Sequence, residues 1–221
     1  MPHLNREWAR DISHGVTLDG AQATSDVGCD IFGDPPVCAT VAVVIPFQNT
    51  DHVAEAVIRI DKTGTEAMFV GCFFLQADPE AIECNWWYDR DKRSHYINGF
   101  TGALQEGDQA LSASTCVLED GDEVLVRYDL WLGKLSFSKH GQEVGSLEGL
   151  HGSRPTFAVQ FCGEAQKVSL ERLEILQHVD EGDCSGERRL RGSMDAAARS
   201  PSPQSVPFTV PPKMGDMQNH K

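Results

Sequence analysis

Residues 119–145 read EDGDEVLVRYDLWLGKLSFSKHGQEVG, and this stretch decides the fold class. A turn at Asp120-Gly121 opens it. Val124, Val126 and Tyr128 then alternate with Glu123, Leu125 and Arg127. A short connection over residues 130–132 ends at Gly133. Leu135 and Phe137 next alternate with Lys134, Ser136 and Ser138, and a second turn follows at His140-Gly141. Successive side chains of a strand point to opposite faces, so alternation with period two between glycine turns marks half-buried antiparallel strands. The stretch predicts strand, reversal, strand, reversal. It holds no nucleophile–base pair and no metal-ligand spacing.

Outward from there, the same grammar continues. Residues 15–18 read as a first short strand. Residues 37–45 are almost entirely apolar and β-branched, as in a strand buried on both faces. In residues 52–60, Ala54, Ala56, Ile58 and Ile60 fall on one face, with Glu55 and Arg59 on the other. Residues 67–75 predict another buried strand, in which Gly71 marks a bulge or a close backbone approach. Residues 84–88 and 94–97 read as strands, Asn98-Gly99 as a hairpin turn, and residues 102–108 as a loop. Residues 156–162 and 167–176 are the last strands, with a phase shift between Leu170 and Leu173 that predicts a bulge. Roughly eleven short strands with almost no helical period predict an all-β sandwich.

Charge narrows the function. The chain has 33 acidic and 19 basic residues, a formal charge of −14. Residues 1–179 hold 27 of the acids and 13 of the bases, and therefore the whole imbalance. That argues against unaided nucleic-acid binding, which needs lysine and arginine against phosphates. It suits basic or neutral partners, or simply keeps the protein dissolved. The cysteines number seven, lie mostly in apolar runs and form no Cys-x-x-Cys. They read as thiols in a reducing intracellular compartment, the cytoplasm or the nucleus. Residues 1–10 lack the apolar core of a signal peptide. The apolar run 67–75 is far short of the roughly 20 residues that span a bilayer, so no membrane partner is expected. Asp120, Asp122 and Glu123 lack the ligand spacing of a calcium loop. Neither Cys29 with Cys38 nor Cys162 with His151 has zinc spacing. No metal, cofactor or catalytic residue is expected. From Asp180 onward, glycine, serine, proline and mixed charges predict a disordered tail.

The order of motifs resembles the SPRY domain family. Gly121-Asp122, the alternating run, Asp129, Gly133, Leu135-Ser136-Phe137, Gly141 and Gly145 resemble its signature. Residues 52–60 with Phe69-Val70-Gly71, then Trp86-Trp87-Tyr88, then Arg154-Pro155 through Phe161, resemble its flanking strands. The match spans residues 15–176. The resemblance implies a concanavalin-like β-sandwich of two antiparallel sheets that binds proteins and has no catalysis of its own. The expected division is a lead (1–12), a SPRY-like domain (13–179) and the disordered tail (180–221).

In that family, loops at one end or edge of the sandwich form a preformed pocket for a peptide or protein surface, while the sheets hold them rigid. By analogy the loops here are residues 33–36, 76–82, 89–95 and 130–132. The acids Asp78, Glu80, Asp89 and Asp91, with Arg90 in the same turn, would meet a basic ligand. Trp87, Tyr96 and Trp131 would supply desolvated anchors. As a strand, residues 84–88 would place Trp86 and Tyr88 on one face and Trp87 on the other. The expected molecule is a monomeric adaptor for a protein or peptide. The alternative is a lectin-like sandwich binding a glycan or small metabolite, marked by Trp86 or Trp87 exposed beside Asn85 and Asp89. A weaker rival is a hydrolase, marked by a carboxylate of raised pKa in a deep cleft.

Overall fold

The structure is a computed structural model that describes residues 6–29, 38–45, 53–74, 85–111, 116–150 and 155–176. All of these belong to one of the two units into which the chain divides, Met1–Val179 and Asp180–Lys221. The loops 33–36 and 76–82, Asp78 and Glu80 among them, and the segment 180–221 lie outside the described residues.

The decisive stretch folds as its alternation requires. Strand β9 (Glu123–Asp129) pairs with β10 (Lys134–Lys139), setting Tyr128 opposite Leu135 and Val126 opposite Phe137. Val124, Val126, Tyr128, Leu135 and Phe137 are all buried. His140 and Gly141 have φ of 50° and 78°. Positive φ at both central residues suits a tight hairpin between right-twisted strands, and the chain returns as β11 (Gln142–Leu147).

Two antiparallel sheets result. The first runs β1 (Val16–Asp19), β2 (Gln22–Ser25), β13 (Lys167–Leu176), β4 (Val53–Lys62), β9, β10, β11. The second runs β3 (Ala39–Val44), β12 (Pro155–Phe161), β5 (Met68–Phe74), β6 (Ser94–Asn98), β7 (Leu104–Glu106), β8 (Gln109–Ala110). Between them, Ala54, Ala56, Ile58 and Ile60 of β4 share one core with Val70 and Cys72 of β5 and Phe157, Val159 and Phe161 of β12. Fully burying a large aliphatic or aromatic side chain contributes about 1.5–3 kcal/mol, so this face dominates stability. The second sheet is covered on its outer face too. There Ala42, Phe69, Phe73, Tyr96 and Ala158 pack with Trp86, and β5, β6 and β12 are buried along their whole length.

Two local expectations hold in detail. A Cβ at Gly71 would lie 2.1 Å from the His95 carbonyl oxygen, so the glycine marks a close approach of β5 to β6. The register of β13 against β4 shifts between Leu170 and Arg172, the predicted bulge.

Other expectations are corrected. Residues 86–88 form a 3-10 turn, Trp86–Tyr88, not a strand. The loop expected at 102–108 contains β7, and β2 and β11 were not anticipated from the sequence. Cys29 and Cys38 are joined by a disulfide, whereas the sequence reading made them thiols. Their positions at either side of residues 30–37 bring the two Cα atoms to 4.2 Å, a closeness that spacing alone does not reveal. Of the remaining described cysteines, Cys72 and Cys162 are free thiols. The described part of the lead is docked: Trp8 is buried in the core, and its indole N–H donates to the Ala21 carbonyl at 2.7 Å. Among the described residues no helix is long and apolar enough to cross a membrane.

Candidate functional site

The 3-10 turn Trp86–Tyr88 is built by its polar neighbours. Asn85 Oδ1 accepts from the Trp87 N–H at 3.0 Å, and the Asp89 N–H donates to the Trp86 carbonyl at 3.1 Å. Short polar side chains that bond nearby backbone in this way favour turns over strand pairing. The Trp86 N–H donates to Gln160 Oε1 of β12 at 2.8 Å, fastening the turn to the outer face of the second sheet. Asn85 Nδ2 lies 3.0 Å from Cys29 Sγ, which ties the turn to the disulfide as well.

Three successive residues of a 3-10 turn point in three directions, unlike the two of a strand. Trp86 is fully buried, its ring 6.3 Å from Phe73 and 5.5 Å from Tyr96 between centroids. Trp87 lies 6.0 Å from Phe69 yet is 42% exposed, and Tyr88 is 55% exposed. Beside them opens a concavity of about 530 Å³. Ala67, Phe69, Trp87 and Tyr88 give it an apolar and aromatic lining, and Glu66, Gly163 and Glu164 line it as well. Gly28, Cys29, Asn85 and Cys162 complete the lining. The Cys29 N–H donates to the Cys162 carbonyl at 3.0 Å, which holds the disulfide-bearing segment against the end of β12. Size and mixed lining are those of a preformed ligand site.

Gln166 braces the acidic part of that lining. Its Oε1 accepts from the Gly163 N–H at 2.9 Å, and its Nε2 donates to the Thr63 carbonyl and, at 2.9 Å, to the Glu66 carbonyl. One buried side chain thus couples the β4–β5 connection to the β12–β13 turn. A Cβ at Gly163 would fall 3.0 Å from the Glu66 Cβ, so the two segments pack closely here and a larger residue would push Glu66 aside.

The residues expected from the sequence fare differently. Trp87 lines the concavity. Asp89 is buried: its Oδ2 accepts from the Arg93 and Ser94 N–H groups and the Ser94 hydroxyl, each at 2.8 Å. It organises the turn into β6. Tyr96 is also buried, its hydroxyl donating to the Gly107 carbonyl at 3.0 Å. Burial pushes its pKa well up. Arg90 and Asp91 are exposed on the same turn, Asp91 3.6 Å from Arg93. Trp131 is 68% exposed. It follows Asp129, which pairs with Val53 at the start of β4, whereas Glu66 follows the other end of that strand. Trp131 and the concavity therefore lie at opposite ends of the sheet, and the two are not brought together.

The sequence reading missed Glu66, Gly163 and Glu164. A glycine followed by an acid, Gly163-Glu164, in the β12–β13 turn is the available signal, but nothing local joins it to Glu66.

Burial pushes the Cys162 thiol up to about 12, with the nearby Glu66 carboxylate adding to the effect. Such a thiol is a poor nucleophile at neutral pH. The described carboxylates with displaced pKa values all move down. At Asp61 and Asp122 burial pushes upward but is outweighed by hydrogen bonds, from Ser169, Arg59 and Gln22 and from Lys139, the Glu119 N–H and His140 respectively. At Asp120 the Thr63 N–H and hydroxyl lower it. A general acid needs the opposite direction.

No family model and no curated protein matches the sequence. Solved structures do match. The SPRY domain of human HERC1 superposes with a TM-score of 0.53 over 78% of this chain and 99% of its own, at 15% identity. The fold is SPRY-like. A second human SPRY domain gives a TM-score of 0.52 over 75% of this chain and 98% of its own, at 16% identity. Stonustoxin gives 0.53 at 11% identity, covering 76% of this chain and 28% of its own. In the SPRY-like sandwich described here, the concavity sits where the outer face of the second sheet meets the β4–β5 and β12–β13 connections.

Proposed function

We propose that this SPRY-like sandwich is a non-catalytic interaction module that binds a short peptide or a protein surface, as an adaptor, through the concavity beside Trp87. The observation that carries this is Trp87 and Tyr88, two aromatic side chains held exposed over a preformed pocket by a turn that is hydrogen-bonded to the sheet behind it. Rigid, partly desolvated aromatics are the residues from which interfaces draw most of their affinity, and preorganisation lowers the entropy cost of binding.

A lectin-like reading shares the exposed Trp87. It is less favoured, because Asn85 and Asp89, the amide and acid that would read sugar hydroxyls, are buried and engaged in the turn itself. The test is capture by the full chain beside its Trp87→Ala and Tyr88→Ala variants, after unfolding curves show that they fold. A protein retained by the intact chain and lost with both variants supports the module. A glycan-array signal lost with the same variants, without protein capture, moves the assignment to the lectin-like class.

A further inference from the structure

The concavity beside Trp87 carries its own statement about the side chain it takes. Glu66 and Glu164 are exposed and line the same concavity as the two aromatics, and among the described residues neither has an ion-pair partner. Elsewhere on the domain the acids are commonly paired: Asp61 with Arg59 at 2.7 Å, Glu55 with Arg127 at 2.8 Å, Asp122 with Lys139 at 2.6 Å. The stem of Glu164 lies over Gly28, where a Cβ would stand 4.0 Å from its Cγ. Glu66 and Glu164 are held near each other by the close packing at Gly163. The site therefore places two carboxylates, without ion-pair partners among the described residues, in one concavity with a tryptophan and a tyrosine.

Resting on the pocket reading above, we propose that the concavity takes an arginine side chain of a partner protein or peptide. A guanidinium is planar, so it stacks on an aromatic face while its forked N–H groups reach carboxylates at its edge. The excess of acids over bases in residues 1–179 draws such a ligand in.

A second, smaller concavity of about 120 Å³ adjoins the first, and Glu66 lines both. Its apolar surface comes from Met68, Phe100, Val117 and Leu118. Phe100 is 68% exposed and Val117 44%. A segment with its arginine on one side of Glu66 sets an apolar side chain on the other. The ligand is thus an arginine with a nearby apolar residue.

The experiment is a random-peptide display selection on the full chain, followed by affinity measurement on the selected peptides. Arginine and a nearby apolar residue are expected to be enriched. Replacing that arginine by citrulline, its neutral isostere, is expected to weaken binding by about tenfold or more, as for a desolvated cation–π contact joined to charge-assisted hydrogen bonds. In the Glu66→Gln, Glu164→Gln double variant the same replacement is expected to cost clearly less, the difference being the carboxylate coupling and the remainder the cation–π contact. Both substitutions are on exposed side chains, and an unchanged urea midpoint verifies folding. Peptides that lack a basic residue but still require Trp87 would overturn the arginine inference and leave the pocket reading standing. An equal citrulline effect in both proteins places the arginine elsewhere and also overturns it. Arginine enriched without an apolar neighbour overturns the role of the second concavity. Selected peptides indifferent to Trp87→Ala, or none selected at all, overturn the pocket reading itself.

Discussion

The backbone N–H of Trp86 donates to the side-chain oxygen of Gln160 at 2.8 Å, across 74 residues of chain, and this bond fixes the turn that presents Trp87. Gln160 is fully buried in β12, and its Nε2 lies 3.2 Å from the Thr40 hydroxyl of β3. The aromatic part of the pocket lining is therefore positioned by a strand none of whose own residues lines the pocket.

Gln160→Leu removes the acceptor and leaves a buried N–H without it. The expected cost is about 1–3 kcal/mol, the desolvation penalty of an unsatisfied buried donor. Urea unfolding measures it. Tryptophan emission should also shift in the native state as the turn loosens, and an unchanged spectrum with unchanged stability would refute the pinning role.

Gly71→Ala is expected to destabilise the sandwich severely. The added methyl would meet backbone, with the His95 carbonyl oxygen at 2.1 Å and the Tyr96 Cα at 2.6 Å, and backbone in a central strand pair cannot swing aside. Overpacking typically costs about 1–3 kcal/mol, and this site belongs at the upper end or beyond. A thermal midpoint within a degree or so of wild type would contradict the close approach of β5 and β6.

His95 sets a pH dependence near neutrality. It is buried on β6, with the Phe74 ring edge-on at 5.2 Å between centroids. Burial pushes its pKa down, against the upward pull of Glu106, the Arg93 backbone and Asp89. Its Nε2 is 3.3 Å from Glu106 Oε1, without the geometry of a hydrogen bond. The unfolded chain therefore binds the proton more readily than the folded one. The stability that the neutral ring contributes is fully present above the ordinary value of 6.5 and declines as pH falls below it, toward the lowered folded value. Thermal midpoints of wild type should fall across that window more than those of His95→Gln, and parallel curves would refute the assignment.

The Cys29–Cys38 disulfide closes a short loop, with a sequence separation of 9. Chain-entropy arguments give roughly 2–3 kcal/mol for a loop this size, so Cys29→Ala with Cys38→Ala should lower stability by about that much. Non-reducing peptide mapping should recover the two cysteines on linked peptides. Because Cys29 lines the pocket and accepts from Asn85, the double variant should also weaken any ligand that depends on Trp87.

The sequence by itself determined the strands, their class and several of their irregularities. Period-two alternation, the His140-Gly141 reversal, Gly71 within an apolar run and the phase slip after Leu170 are local signals, written by side-chain geometry over a few residues. The net negative charge of the domain was equally legible. Tertiary structure alone decided which aromatics remain outside. Trp86 and Trp87 are neighbours of one residue type, and only the outer face of the second sheet, with Phe73 and Tyr96 waiting beneath, separates core from surface. The same holds for Asp89, whose carboxylate is taken up by its own turn, and for Cys29 with Cys38. The pocket draws on Gly28, Glu66, Trp87 and Glu164, from four segments that meet only when both sheets are formed. Burial and long-range proximity are properties of the packed layers, and no local pattern encodes them.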